Sequence, residues 1–94
     1  KNPASTFFVR ALGESMKDAG IFTGDILVVD RSLDPNDGKI VVVAIDGELT
    51  VKRLKKKNRT LYFMPENPEF KPIAIKELQD VHVWGVVTNV IHAL

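Results

Sequence analysis

Ninety-four residues suffice for one small domain with a single core, and the chain is 45% hydrophobic and 27% charged, an ordinary globular balance. A formal net charge of +1 exerts no global pull toward nucleic acid or an acidic surface. The absence of cysteine excludes disulfides, thiol nucleophiles and thiolate-bound metal, and it fits a reducing cytoplasm.

The longest apolar run, Ile40 to Ile45, is six residues and far too short to cross a bilayer. No basic n-region followed by an apolar h-region opens the chain. Its first residue is Lys1 and not Met, which points to a processed or truncated piece.

Thr6 to Ala11 is aromatic and β-branched and predicts a strand leading into Gly13. Gly13 allows a sharp turn that presents Ser15 on a bend. Ser15-Met16-Lys17-Asp18 resembles a capping box with Asp in place of Glu, so a short helical turn is expected until Gly20. A serine at such a start lies beside unsatisfied backbone N–H groups, potential donors to an oxyanion. The plainer alternative is that Ser15 merely caps the turn.

Gly24-Asp25 marks a turn before the apolar strand Ile26 to Asp30, and Asp34-Pro35-Asn36-Asp37-Gly38 is dense loop chemistry. Lys39 to Ile45 and Glu48 to Leu54 then flank Asp46-Gly47, the strongest short-range hairpin signal. A two-residue loop pairs Ile45 with Glu48, Val43 with Thr50 and Val41 with Lys52. Alternation puts Val41, Val43, Ile45, Glu48, Thr50 and Lys52 on one side, with Val42, Ala44, Leu49, Val51 and Arg53 on the other. Both sides are largely apolar, so the hairpin is expected to be central. Lys52 then projects among valines, an unusual address for a lysine.

The basic run Lys55 to Arg59 reads either as a phosphate-binding patch or as a solvated hairpin tip, and near-neutrality favours the tip. Thr60 to Met64 predicts a strand, Pro65 to Pro72 an irregular segment anchored by Phe70, and Ile73 to Ile75 a short strand. Val81 to Ile91 predicts a long closing strand, bent at Gly85 and able to serve as a pairing edge for a second copy. The sum is a mostly-β, single-domain structure, folded over or barrel-like, with one short helical turn.

Three chemistries compete for these residues. A metal site is poorly supported, because His82 and His92 sit in or near one strand without metal-ligand spacing. A triad of Ser15 with His82 or His92 and Asp25 is formally available, yet no spacing singles out a histidine. A Ser-Lys dyad is sharper. Serine needs a base to remove its proton, and lysine can serve only when neutral. A free lysine titrates near ~10.4, and a working base needs about 7–8, a gap of roughly 3–5 kcal/mol. Burial supplies such a shift by penalising the charged form, and Thr50 could orient the amine. The competing reading lets Lys52 snorkel to solvent from a sheet edge.

Gly13-Glu14-Ser15-Met16, Gly24-Asp25, Thr50-Val51-Lys52-Arg53-Leu54 and Pro65-Glu66-Asn67 together resemble the self-cleaving Ser-Lys domain of LexA-type repressors and UmuD mutagenesis proteins. Lys52 follows Ser15 by 37 residues, similar to the UmuD interval. Asn2 to Phe8 and Trp84 to Thr88 look closer to UmuD, whereas Thr50 to Lys56 and Pro65 to Ile73 look equally close to LexA.

The resemblance implies a serine endopeptidase with the fold of the LexA, UmuD and signal-peptidase type. Ser15 would be the nucleophile and Lys52 the general base. The backbone N–H groups of Glu14 and Ser15 would form the oxyanion hole, with Thr50, Gly13 and Met16 in support. It implies no cofactor or metal, no membrane, and no sequence-specific DNA binding by this domain. Its partners would be the RecA filament on single-stranded DNA, a second copy in a homodimer, and a UmuC-like Y-family polymerase subunit.

In that reading residues 1–94 are the peptidase core. The family's scissile bond is typically Ala-Gly or Cys-Gly upstream of the serine, and the only Ala-Gly here, Ala19-Gly20, follows Ser15 in a turn expected to be buried. The cleavage site is therefore expected to lie outside this chain. The alternative parent is a LexA-like repressor, with this chain its C-terminal self-cleavage and dimerisation domain.

Overall fold

The computed structural model describes residues 3–78 and 80–94; Lys1 and Asn2, the start of the Asn2–Phe8 motif, lie outside them. Seven strands form one antiparallel sheet: β1 (Thr6–Arg10), β2 (Ile26–Asp30), β3 (Ile40–Ile45), β4 (Glu48–Lys57), β5 (Thr60–Met64), β6 (Ile73–Ala74) and β7 (Val81–Ile91), in the order β1-β2-β7-β3-β4-β5-β6. The mostly-β expectation is borne out. Among the described residues no helix is long and apolar enough to cross a membrane.

The β3–β4 hairpin has the register the sequence predicts: Ile45 opposite Glu48, Val43 opposite Thr50, Val41 opposite Lys52. Asp46 and Gly47 both have positive φ, 51° and 82°, as the twist-matched two-residue turn requires. The hairpin is central. Val41, Val42 and Val43 are all 0% exposed, with Val42 in one core cluster and its two neighbours in another. That two-sided burial explains why β3 is an unbroken apolar run.

The sheet folds over because its long strands exchange partners along their length. β4 pairs with β3 up to Arg53 and with β5 from Arg53 onward. β7 pairs with β3 over Val81–Val86 and with β2 over Val86–Ile91. Both of its ladders shift register, between Val42 and Val43 on β3 and between Val28 and Val29 on β2. Such bulges bend a strand and sharpen its twist. At the exchange point a Cβ on Gly85 would sit 2.8 Å from Val29 Cγ1 and 3.1 Å from the Asp30 carbonyl oxygen, so only glycine lets the strands close there.

One core gathers Leu27, Val29 and Val42 under Ala11, Met16 and Ile21 from the segment between β1 and β2. The other packs Val41, Val43, Leu54 and Val86 around Phe63, with Ile73, Ile75 and Leu78 alongside.

Three expectations need correction. β7 lies between β2 and β3, so it is no continuous sheet edge; its β3-facing side lacks that neighbour only beyond Val86, and its β2-facing side lacks β2 only before Val86. The strand predicted over Ile73 to Ile75 stops at Ala74, because Ile75–Glu77 closes into a 3-10 turn through a Leu78 N–H to Ile75 carbonyl bond of 3.0 Å. Phe70 does not anchor the proline-rich segment, being 44% exposed; the buried residue there is Asn67. The basic run is the exposed end of the β4–β5 hairpin, turning at Asn58 and Arg59.

Candidate active site

The serine turn is built on irregular backbone. Gly13 has φ of 85°, and nothing lies within 4 Å of where its Cβ would be, so the requirement is conformational rather than spatial. Its N–H donates to Thr23 Oγ1 at 3.2 Å. Met16, 2% exposed, plugs the turn into the first core. The expected helical turn is a short 3-10 helix, Lys17–Ala19, ended by Gly20 in the left-handed region. Its N-cap is Met16, with no side-chain cap bond, so the capping-box expectation fails. The turn starts one residue late, and the Ser15 hydroxyl is left for another partner. The Ala19–Gly20 bond sits at the end of this helix and is half-buried rather than buried.

Three hydrogen bonds strap the turn to the segment after β5. Glu66 N–H donates to the Ser15 carbonyl at 2.7 Å, and Asp18 N–H donates to the Glu66 carbonyl at 2.8 Å. Asn67 Nδ2 donates to the Glu14 carbonyl at 2.7 Å. Arg53, on the hairpin face opposite Lys52, ion-pairs with Glu66 at 2.9 Å and donates to the Gly38 carbonyl at 2.6 Å. Glu66 therefore joins the serine turn to the hairpin. Neither Glu66 nor Asn67 stood out on chemical grounds; the Pro65-Glu66-Asn67 motif was their only signal.

Lys52 is 8% exposed, although it is charged in its ordinary state. Its Nζ lies 3.0 Å from Ser15 Oγ and 3.3 Å from Thr50 Oγ1. The Phe70 ring centroid is 6.0 Å away. Among the described residues no carboxylate pairs with it, and burial pulls its pKa below the ordinary lysine value. An open groove of about 600 Å³ beside the amine is lined by Ile45, Glu48, Thr50, Lys52 and Ile73. A neutral amine here can accept the Ser15 proton while its own N–H donates to Thr50.

The triad residues fall elsewhere. His92 Nδ1 lies 2.9 Å from Asp25 Oδ2, which also accepts the Phe22 N–H at 2.8 Å. That backbone bond, aided by His92, holds the Asp25 carboxyl below its ordinary pKa. The side-chain partner of Ser15 is Lys52, not a histidine. His82 instead stacks edge-on against Trp84.

A family pattern described as Peptidase S24-like matches residues 1–88. The chain belongs to that family. Protein SamA of Salmonella typhimurium is 48% identical over 92 residues, covering 98% of this chain and 63% of SamA. Protein ImpA of Escherichia coli and of Shigella flexneri is 50% identical over 91 residues, covering 96% of this chain and 61% of ImpA. The chain thus spans a little over three fifths of the length of these relatives. Membership of the Peptidase S24-like family bears out the resemblance drawn from the motifs and accounts for the serine-peptidase-type fold.

Proposed function

We propose that residues 1–94 are the single core domain of a UmuD-like SOS-response protein working as a Ser-Lys endopeptidase. Ser15 is the nucleophile, Lys52 the general base, and the N–H groups of Glu14 and Ser15 the oxyanion donors, with Gly13, Met16 and Thr50 in support. The observation that carries this reading is the 3.0 Å approach of Nζ to Oγ by a buried lysine that no carboxylate pairs with among the described residues. Burial lowers the Lys52 pKa and so favours the neutral amine, the form a base must have.

The reaction follows from those positions. Neutral Lys52 takes the Oγ proton as Oγ attacks the scissile carbonyl carbon, and the carbonyl oxygen gathers negative charge. The Lys52 ammonium then returns that proton to the departing amine, leaving an acyl-serine ester. Water, deprotonated by the again neutral Lys52, attacks the ester carbonyl carbon; the Lys52 ammonium then gives that proton to the leaving Oγ, which frees Ser15 and restores the neutral amine.

In the full-length parent the bond cut lies in the N-terminal arm, under stimulation by the RecA filament on single-stranded DNA. The trimmed product forms a cytoplasmic homodimer that serves as accessory subunit of a UmuC-like translesion polymerase. Support for a UmuD-like parent comes from both ends of the chain. A LexA-like parent would share the dyad and differ in carrying a helix-turn-helix upstream.

The test incubates the full-length parent and its Ser15→Ala and Lys52→Ala variants at alkaline pH or with activated RecA filament. Both variants are expected to stay intact while the parent is cut; cleavage of either at the parental rate would sink the dyad.

A further inference from the structure

Asn67 is 4% exposed, and both ends of its amide are engaged. Oδ1 accepts the Glu69 N–H at 3.0 Å, and Nδ2 donates to the Glu14 carbonyl at 2.7 Å. The first bond, with Phe70 N–H to the Asn67 carbonyl at 3.0 Å, explains a local turn. The second does not: it reaches back 53 residues to the peptide just before Ser15.

A trans peptide is planar, with its C=O and N–H pointing in opposite directions. Holding the Glu14 carbonyl from one side therefore sets where the Ser15 N–H points on the other. The bond also polarises the peptide, making that N–H a better donor. The next carbonyl, that of Ser15, is held in turn by Glu66 N–H. The Glu14 carbonyl also accepts the Lys17 N–H within the turn, but at the longer 3.3 Å. The shorter bonds on two consecutive peptides of the nucleophile turn come from two consecutive residues of another segment. Among the described residues no acceptor takes the N–H of Glu14 or Ser15.

We propose that Asn67 is a positioning residue for the reaction at Ser15, its Nδ2 holding the Glu14–Ser15 peptide so that the Ser15 N–H faces the developing oxyanion. This rests on the Ser-Lys reading above. Asn67 touches neither substrate nor Lys52; it acts through the backbone amide.

The test follows self-cleavage of the full-length parent against pH in the Asn67→Ala and Asn67→Asp variants. Asp keeps the acceptor for Glu69 but cannot donate to Glu14. Both plateau rates are expected to fall about 10²-fold, the scale of one lost oxyanion donor. The pH midpoint of the Ala variant, set by Lys52, stays where the parent's is. A parental plateau in either variant overturns the proposal, as does a shifted Ala midpoint with an intact plateau.

Ser15→Ala separates the two levels. If it cleaves at the parental rate, the dyad reading itself falls. If it is inert while the Asn67 variants cleave fully, only the role of Asn67 falls. Should the variants fail to fold, the unmutated protein decides by nuclear magnetic resonance. A coupling across the bond from Asn67 Nδ2 to the Glu14 carbonyl carbon is expected, with a downfield move of the Ser15 amide proton when a peptide aldehyde adds to Ser15. Absence of either signal overturns the proposal.

Discussion

The two halves of the proposed dyad are held in place by opposite means. Lys52 rides on a hairpin whose turn residues and register are local, so its address follows from the residues on either side of Asp46-Gly47. Ser15 sits on irregular chain whose shape depends on bonds to Glu66 and Asn67, more than fifty residues away. A sheet ladder is a repeating pattern and tolerates local change. A loop held by a few specific bonds does not.

The largest effect that would sharpen this contrast is Lys52→Met. Cleavage is expected to fall by on the order of 10⁴-fold or more, the scale for removing a member of a catalytic set. Stability is expected to move the other way, rising by about 1–4 kcal/mol, as when buried charges yield to packed apolar groups. The sign with pH follows from the lowered pKa of Lys52. Between its folded and unfolded pKa values the unfolded chain binds more protons, so the cost of burying this lysine is full below the folded value and fades as pH rises toward the unfolded one. The Met variant's advantage in denaturant melts should therefore be greatest at low pH and shrink on the alkaline side. An advantage that grows with pH would contradict the lowered pKa of buried Lys52. Cleavage by the parent should rise over the range in which the stability gap closes.

A smaller effect is expected at Gly13, where φ of 85° suits few side chains. Gly13→Ala should cost about 1–2 kcal/mol of stability. It should slow cleavage on the order of 10–100-fold, because displacing a nucleophile by a fraction of an ångström is expensive. A single-turnover assay beside a thermal melt reads both. Parental cleavage in this variant would break the contrast, since the loop would then be as tolerant as the ladder.

The smallest effect is expected at Arg53→Met, which removes the ion pair to Glu66 and the bond to the Gly38 carbonyl but keeps an aliphatic stem. Both ion-pair partners are roughly 30% exposed, so the stability loss, the Gly38 bond included, should stay within about 1–2 kcal/mol. Cleavage should drop only a few-fold, because Glu66 holds the serine turn through its backbone rather than its carboxylate. A loss of cleavage as large as that at Gly13 would show that the side-chain link between hairpin and turn matters as much as the backbone straps.

What the sequence determined by itself was the repeating part. The mostly-β class, the hairpin register and the face that Lys52 shares with Val41 and Val43 all follow from alternation and turn chemistry, which act between near neighbours. The motifs carried the family. Only the tertiary structure decided the rest. Ser15-Met16-Lys17-Asp18 reads as a capping box, but the buried Met16 takes the cap position and the Ser15 hydroxyl goes to Lys52 instead. Phe70 looks like an anchor because it is large and apolar, yet the segment is tied down by the hydrogen bonds of buried Asn67. Those choices depend on where distant backbone carbonyls end up, and no periodicity in the chain encodes that. Alternation can place a lysine among valines; only folding brings a serine to within 3.0 Å of it.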